Sequence, residues 1–281
     1  MPDVRSEYKR ISELISSAPF DVSADFEAKL IISYFLDCEP SELPLRYAET
    51  LSAEQSAKAS EMASRRIGGE PLQYILGQWE FLSLPFFVGS GVFIPGPDTE
   101  HLAQAGIDFA KTVRGGVRLL DLCAGSGCVG ISVAHYCENV TADLVELYPE
   151  AFAYLEKNIA LSGTPRCKAI NADALKYTCD EKYDIVLSNP PYITSEEYAS
   201  LPADVTAQPK TALTDGGDGL SYYRIITLNA LDLLREGGML AFEIGFKQCE
   251  PVSELLTAAG YKHVHSKRDY NGLRRVVIGY R

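Results

Sequence analysis

The sequence predicts an α/β protein in three parts: an N-terminal helical domain over residues 1–72, a β-hairpin linker over 73–95, and a larger domain over 96–281 built on a mostly parallel sheet. Three observations carry this reading. Helical periodicity dominates up to about residue 70. Aromatic and β-branched runs broken by Gly and Pro follow between Tyr74 and Ile94. From Val117 onward, strand-like and helix-like segments alternate, and the strands are short apolar runs without strict alternation, as in a sheet covered on both faces.

In chain order, Phe26, Leu30 and Tyr34 share one face of a helix that stops before Pro40. Ser52 and Gln55 form a capping box for the next helix, and Arg65 and Arg66 lie in its last turn before Gly68 and Gly69, where the helix dipole favours cations. The runs YIL, WEFL, PFFV and VFI, broken by Gly77, Pro85 and Gly89-Ser90-Gly91, predict the hairpin. The larger domain then reads VRLLDL, a helix from Cys128, VTADLVE, a helix from Pro149, CKAIN, DIVLSN, a long helix over 219–235, GGMLAFEIG, a helix through Leu255, YKHVHSK and RRVVIGY. The last two strands are separated only by residues 268–273, too few for a crossover helix, so they should pair antiparallel.

Composition narrows the class of function. Of 281 residues, 46% are apolar and 23% charged, the signature of a globular chain rather than a disordered one. Lys and Arg number 26 against 38 Asp and Glu, and the resulting net charge of −12 repels a polyanion, which makes DNA an unlikely partner. Seven scattered cysteines without a CxxC suggest neither a disulfide framework nor a zinc ribbon, and a reducing compartment fits. The stretch MPDVRSEYKRISEL has no apolar core and no segment is greasy enough to span a bilayer, so the expectation is a cytoplasmic protein with no membrane partner.

The first chemical motif follows the first strand of the larger domain. Asp121-Leu-Cys-Ala-Gly125-Ser-Gly127-Cys-Val-Gly130 spaces its glycines as GxGxxG, which lets backbone and helix N-terminal amides approach an anionic group. A dinucleotide would suit that loop as well as a nucleoside. Glu146, at the end of the second strand, is placed for its carboxylate to accept both ribose hydroxyls. Asp121 shifts the balance, because a carboxylate just ahead of the glycines suits a ligand with a cationic amino group. S-adenosyl-L-methionine (SAM) has one, and DLCAGSG resembles the first motif of class I SAM-dependent methyltransferases. That resemblance implies a seven-stranded Rossmann-like sheet, and places Asp173, followed by Ala174, where such proteins often set an acid facing the adenine amino group.

The second motif is Asn189-Pro190-Pro191-Tyr192, delivered by the fourth strand at its C-terminal end. A planar NH₂ acceptor needs groups that take hydrogen bonds from both its N–H groups while its nitrogen faces the methyl donor. Asn189 Oδ1 and the Pro190 carbonyl are candidates for those two acceptors, and the Tyr192 ring for a cover on the planar group. NPPY occurs both in DNA amino-methyltransferases and in enzymes that methylate protein glutamine.

PLQYILGQWEF (71–81), FIPGPDTE (93–100), NPPYI (189–193), ALTDGGDGLSYYRII (212–226) and RDYNGLRRVVIG (268–279) together resemble the HemK/PrmC family of peptide chain release factor glutamine N5-methyltransferases. The resemblance implies SAM as donor, S-adenosyl-L-homocysteine as product, no metal, and as acceptor the glutamine of the GGQ loop of class 1 release factors. It implies SAM contacts at Cys123, Ala124, Gly125, Ser126, Gly127, Glu146 and Asn189, and a glutamine site at Asn189, Pro190, Pro191 and Tyr192, with Asn189 and Pro190 catalytic. Three positions depart from the family: Gly96 replaces the usual Arg, Ala174 a larger residue, and Gln208 the usual Glu. The alternatives left open are an adenine-N6 DNA methyltransferase and a catalytically silent SAM-binding adaptor of translation factors. Outside the site, Thr194 and Glu197 predict a capping box after NPPY, and His263 and His265 alternate onto one strand face with no evident third metal ligand.

Overall fold

Nine strands appear among residues 2–281, the residues described by the computed structural model. Strands β1 (Gln78–Phe81) and β2 (Leu84–Phe87) form an antiparallel hairpin. The remaining seven are β3 (Val117–Leu122), β4 (Val140–Glu146), β5 (Cys167–Asn171), β6 (Tyr183–Ser188), β7 (Leu234–Glu243), β8 (Lys262–Arg268) and β9 (Arg274–Tyr280). They make one sheet in the order β5-β4-β3-β6-β7-β9-β8. β3 to β7 are parallel, and β9 runs antiparallel to both β7 and β8, as the short connection requires.

Adjacent residues on the central strands feed two different cores. Leu119, Leu144, Ile185 and Leu187 pack with the helices Pro97–Ala110, Cys128–Tyr136 and Pro149–Ser162. Leu120, Val145, Val186 and Phe242 pack on the other face with the helices Ser221–Leu233 and Cys249–Ala258. Apolar side chains are needed at consecutive positions because both faces are dry. Chain order reverses on either side of β3 and β6, which puts a switch point at their C-terminal ends, the crevice where open α/β sheets hold ligands.

The chain divides into two compact units, one of residues up to Gly77 with Pro202–Ala207, the other of Gln78–Leu201 with Gln208–Arg281. In the first, the helices Val4–Ile15, Ala24–Leu36 and Ala53–Ile67 share a core of Ile11, Ile15, Ala28, Ile31, Ile32 and Met62. Ser52 and Gln55 make the expected capping box. Arg66 is buried, its guanidinium paired with Glu27 (2.9 Å), 4.8 Å above the Phe20 ring and 3.8 Å from Asp204.

Three local expectations need correction. The face shared by Phe26, Leu30 and Tyr34 is not the core face, since Phe26 is 51% and Tyr34 57% exposed. That helix is apolar nearly all round, so spacing alone cannot select the stripe that the neighbouring helices cover. Tyr74-Ile-Leu76 belongs to the short helix Leu72–Leu76, closed by Gly77 at φ +77°, and residues 92–94 form no strand. His263 sits at φ +50° where the β8–β9 register slips between Lys262 and His265, so the simple alternation of His263 and His265 is broken by a bulge.

Candidate active site

β3 turns directly into the glycine loop. Gly125 (φ +55°) and Gly127 (φ +80°) take left-handed backbone conformations, and a Cβ on Gly127 would collide with Leu155 and Ile131, whereas the space over Gly125 is open. Cys123 occupies the same backbone region at φ +61°, and burial pushes its thiol pKa up. Asp121 is buried and accepts from the Gly130 amide (2.9 Å), so it fixes the start of the helix Cys128–Tyr136. Burial raises its carboxyl from 3.8 to about 7, against the Gly130 hydrogen bond and with the Glu146 charge adding to the rise.

Glu146 closes the loop from β4. Its Oε2 accepts from the Gly125 amide and its Oε1 from the Tyr148 amide, both at 2.9 Å. Burial pushes its pKa up while these amides pull it down. The Leu147 amide also acts on this carboxylate, and since each of its oxygens carries about two acceptor positions, some acceptor capacity remains for a ligand hydroxyl. The open space over Gly125 and the remaining acceptor capacity of Glu146 are compatible with a nucleoside bearing hydroxyls, a class that includes SAM. Asp173 follows β5, which pairs with β4 through Glu146 and Asn171. Its Oδ1 accepts from the Leu175 amide (2.9 Å), its Oδ2 lies 3.1 Å from Lys176 Nζ, and Ala174 is buried in the apolar layer. Ser126 is buried, and Asn158 donates to its carbonyl (2.9 Å) while bonding the Phe87 amide and carbonyl, which ties the loop to β2.

β6 delivers the second motif beside the first. Ser188 is the partner of Leu122 in the sheet, and its hydroxyl donates to the Leu122 carbonyl at 2.8 Å, so Asn189 and Cys123 leave neighbouring strand ends. Asn189 is half-buried and its Nδ2 donates to Thr99 Oγ1 (3.3 Å). Pro190 and Pro191 are buried. The Tyr192 hydroxyl donates to Glu243 Oε1 (3.4 Å), and its carbonyl accepts from Gln248 Nε2 (2.9 Å). Gln248 also donates to the Gly219 carbonyl (3.2 Å) and accepts from the Gly245 amide (3.0 Å). Asp215 gathers the amides of Gly217, Gly219 and Ser221, which shapes the TDGGDG turn that lies against Tyr192. Thr194 and Glu197 form the expected capping box.

The predicted residues thus collect on one edge of the sheet. Thr99, Glu243 and Gln248 are the neighbours that sequence reasoning missed. Glu243 had a trace in the sequence, an acid ending the strand next to the one that carries NPPY. Of the departures, Gly96 caps the helix Pro97–Ala110 with open space where its side chain would stand, and Gln208 accepts from the Ile94 amide (2.9 Å). Among the described residues, no group of three or more His, Cys, Asp or Glu is arranged to hold a metal ion, and no helix is long and apolar enough to cross a membrane.

Known proteins resemble this arrangement. Residues 9–77 match the PrmC N-terminal domain and residues 107–242 the methyltransferase small domain. The release factor glutamine methyltransferase of Fusobacterium nucleatum is 35% identical over 255 residues, covering 90% of this chain and 72% of that protein. The protein of the same name from Moorella thermoacetica is 34% identical over 257 residues, covering 91% and 90%. A solved methyltransferase from Pyrococcus furiosus aligns with 82% of this chain and 98% of its own at a TM-score of 0.53 and 18% identity, which speaks to the fold. With identity at this level over nearly the whole chain, this protein belongs to the release factor glutamine methyltransferase family.

Proposed function

We propose that the chain transfers the methyl group of SAM to the side-chain amide nitrogen of the GGQ glutamine in class 1 release factors, with Asn189 and Pro190 holding that amide. The pairing of Leu122 with Ser188 carries this reading, because it sets the glycine loop and NPPY at adjacent strand ends. SAM supplies a methyl group activated by its sulfonium.

Gly125 and Glu146 orient the nucleoside, and Asp121 keeps the loop in place; a cationic amino group beside it would favour its ionised form. Asn189 Oδ1 and the Pro190 carbonyl accept from the two N–H groups of the glutamine amide. They hold its nitrogen in line with the sulfur–carbon bond and stabilise positive charge developing on it. The nitrogen–carbon bond forms as the sulfur–carbon bond breaks, the sulfur keeps that electron pair, and one N–H proton leaves to solvent. The hydrogen bonds of Tyr192 to Glu243 and Gln248 support its ring as a cover for the acceptor.

Incubation with labelled SAM and a release factor, followed by peptide mapping, should place the label on the GGQ glutamine and nowhere on a factor whose GGQ glutamine is alanine. Label on duplex DNA with none on the release factor would contradict the proposal.

A further inference from the structure

Glu243 ends β7 beside the NPPY strand and is only 2% exposed. One carboxylate oxygen accepts weakly from the Tyr192 hydroxyl (3.4 Å), and the other is buried without a hydrogen bond among the described residues. A buried acceptor left open is costly unless a donor can turn to it. No direct hydrogen bond joins Thr99 to this carboxylate, but the Thr99 hydroxyl acts to hold its pKa down, as does Arg275 from β9. Burial and Asp98 act the other way and set the carboxyl near 7. Arg275 is itself held by Asp98 and Asp269, each at 3.2 Å, and the Tyr223 hydroxyl bonds the Glu243 carbonyl, so neither supplies the missing donor.

The open acceptor on Glu243 and the bond from Asn189 Nδ2 to Thr99 Oγ1 favour one direction for a chain of hydrogen bonds. Thr99 has one hydroxyl proton. An ionised Glu243 can only accept, so the Thr99 proton turns to it, and Thr99 Oγ1 then receives from Asn189 Nδ2. The Asn189 amide is thereby held with its NH₂ toward Thr99 and its Oδ1 turned away. Without a carboxylate at the end of the chain, the Thr99 proton could point at Asn189 instead and the amide could flip, presenting a donor where the reaction needs an acceptor. We infer that Thr99 and Glu243 are positioning residues that set the orientation of the Asn189 amide for methyl transfer. This rests on the reading of Asn189 as the acceptor of the glutamine N–H.

Thr99→Val keeps the shape and removes the hydroxyl, and Thr99→Ser restores it. At pH 8, above the carboxyl's value of about 7, single-turnover methylation of a release factor should slow about 10- to 100-fold in Thr99→Val, with KM and SAM affinity near wild type. Thr99→Ser should recover most of that loss, and Glu243→Leu, which leaves no acceptor for the Thr99 proton, should resemble Thr99→Val. Wild-type turnover in Thr99→Val, or equal impairment in Thr99→Ser, overturns the inference. Should Thr99→Val not fold, wild-type turnover in a folded Glu243→Leu overturns it. Asn189→Ala measured alongside separates the two levels: if only Asn189→Ala is slow, this inference alone falls, and if none is slow, the reading of Asn189 falls with it.

Discussion

Gln248 donates from its side-chain amide to the Tyr192 carbonyl at 2.9 Å and joins three loops at the end of the NPPY motif. Its other partners are Gly219, 29 residues back in the chain, and Gly245, three residues back in its own loop. Gly219 is at φ +75°, and a Cβ there would overlap the Tyr192 carbonyl oxygen. The ring proposed to cover the acceptor amide is therefore placed from behind, through backbone atoms.

Gly219→Ala should displace that turn and lower turnover more than it lowers SAM affinity, since the glycine loop is not touched. Gln248→Leu leaves the Tyr192 and Gly219 carbonyls and the Gly245 amide short of a partner, and should lose about 1 to 3 kcal/mol of stability. Urea unfolding of both variants, beside single-turnover rates, checks this.

Glu146→Ala removes the acceptor of the Gly125 and Tyr148 amides as well as the proposed ribose contact. SAM affinity by calorimetry should fall about ten- to hundredfold, the equivalent of ~1.5 to 3 kcal/mol. Unchanged affinity in a folded variant would take Glu146 out of the site.

Asn158→Leu leaves the half-buried Phe87 amide and carbonyl and the buried Ser126 carbonyl without their side-chain partner. The loss should reach about 1 to 3 kcal/mol for each group that water cannot reach. Weaker SAM binding should accompany it, because the glycine loop loses its tie to β2.

Asp121 gives the ligand-free protein a pH dependence of definite sign. Its folded pKa, about 7, lies above its ordinary 3.8 because burial disfavours the charge. The folded state therefore holds the proton more tightly. The favourable contribution is complete below 3.8 and is lost as pH rises toward 7, with a slope of at most about 1.4 kcal/mol per pH unit. Asp121→Asn keeps an acceptor for the Gly130 amide but cannot ionise. Its stability relative to wild type should increase between pH 5 and pH 8 in denaturant titrations; a constant difference would remove Asp121 as the cause.

The sheet was legible in the sequence because burial on both faces writes itself as consecutive apolar residues, such as Leu119-Leu120 and Ile185-Val186-Leu187. The glycine loop and NPPY were legible because each is continuous in the chain. What supports them was not. Thr99 comes from one segment, Glu243 and Gln248 from another more than 140 residues on, and they meet Asn189 and Tyr192 only once the sheet is formed. The misread face of the helix Ala24–Leu36 has a similar origin, since its buried side is decided by the helices packed on it. At His263 a backbone bulge displaced the period on which the strand reading depended.

The central claim is that Asn189 presents its amide oxygen to the acceptor nitrogen beside the SAM loop. Single-turnover methylation by Asn189→Ala, with SAM affinity measured on the same preparation, tests it most directly. The account predicts a rate lower by on the order of 10² to 10³, as for removal of one preorganised group from an oxyanion site, with SAM affinity changed less than about tenfold. Asn189→Asp keeps an acceptor but adds a charge beside the sulfonium, and should hold SAM at least as tightly while turning over slowly. Turnover close to wild type in Asn189→Ala would contradict the account and reduce NPPY to a turn.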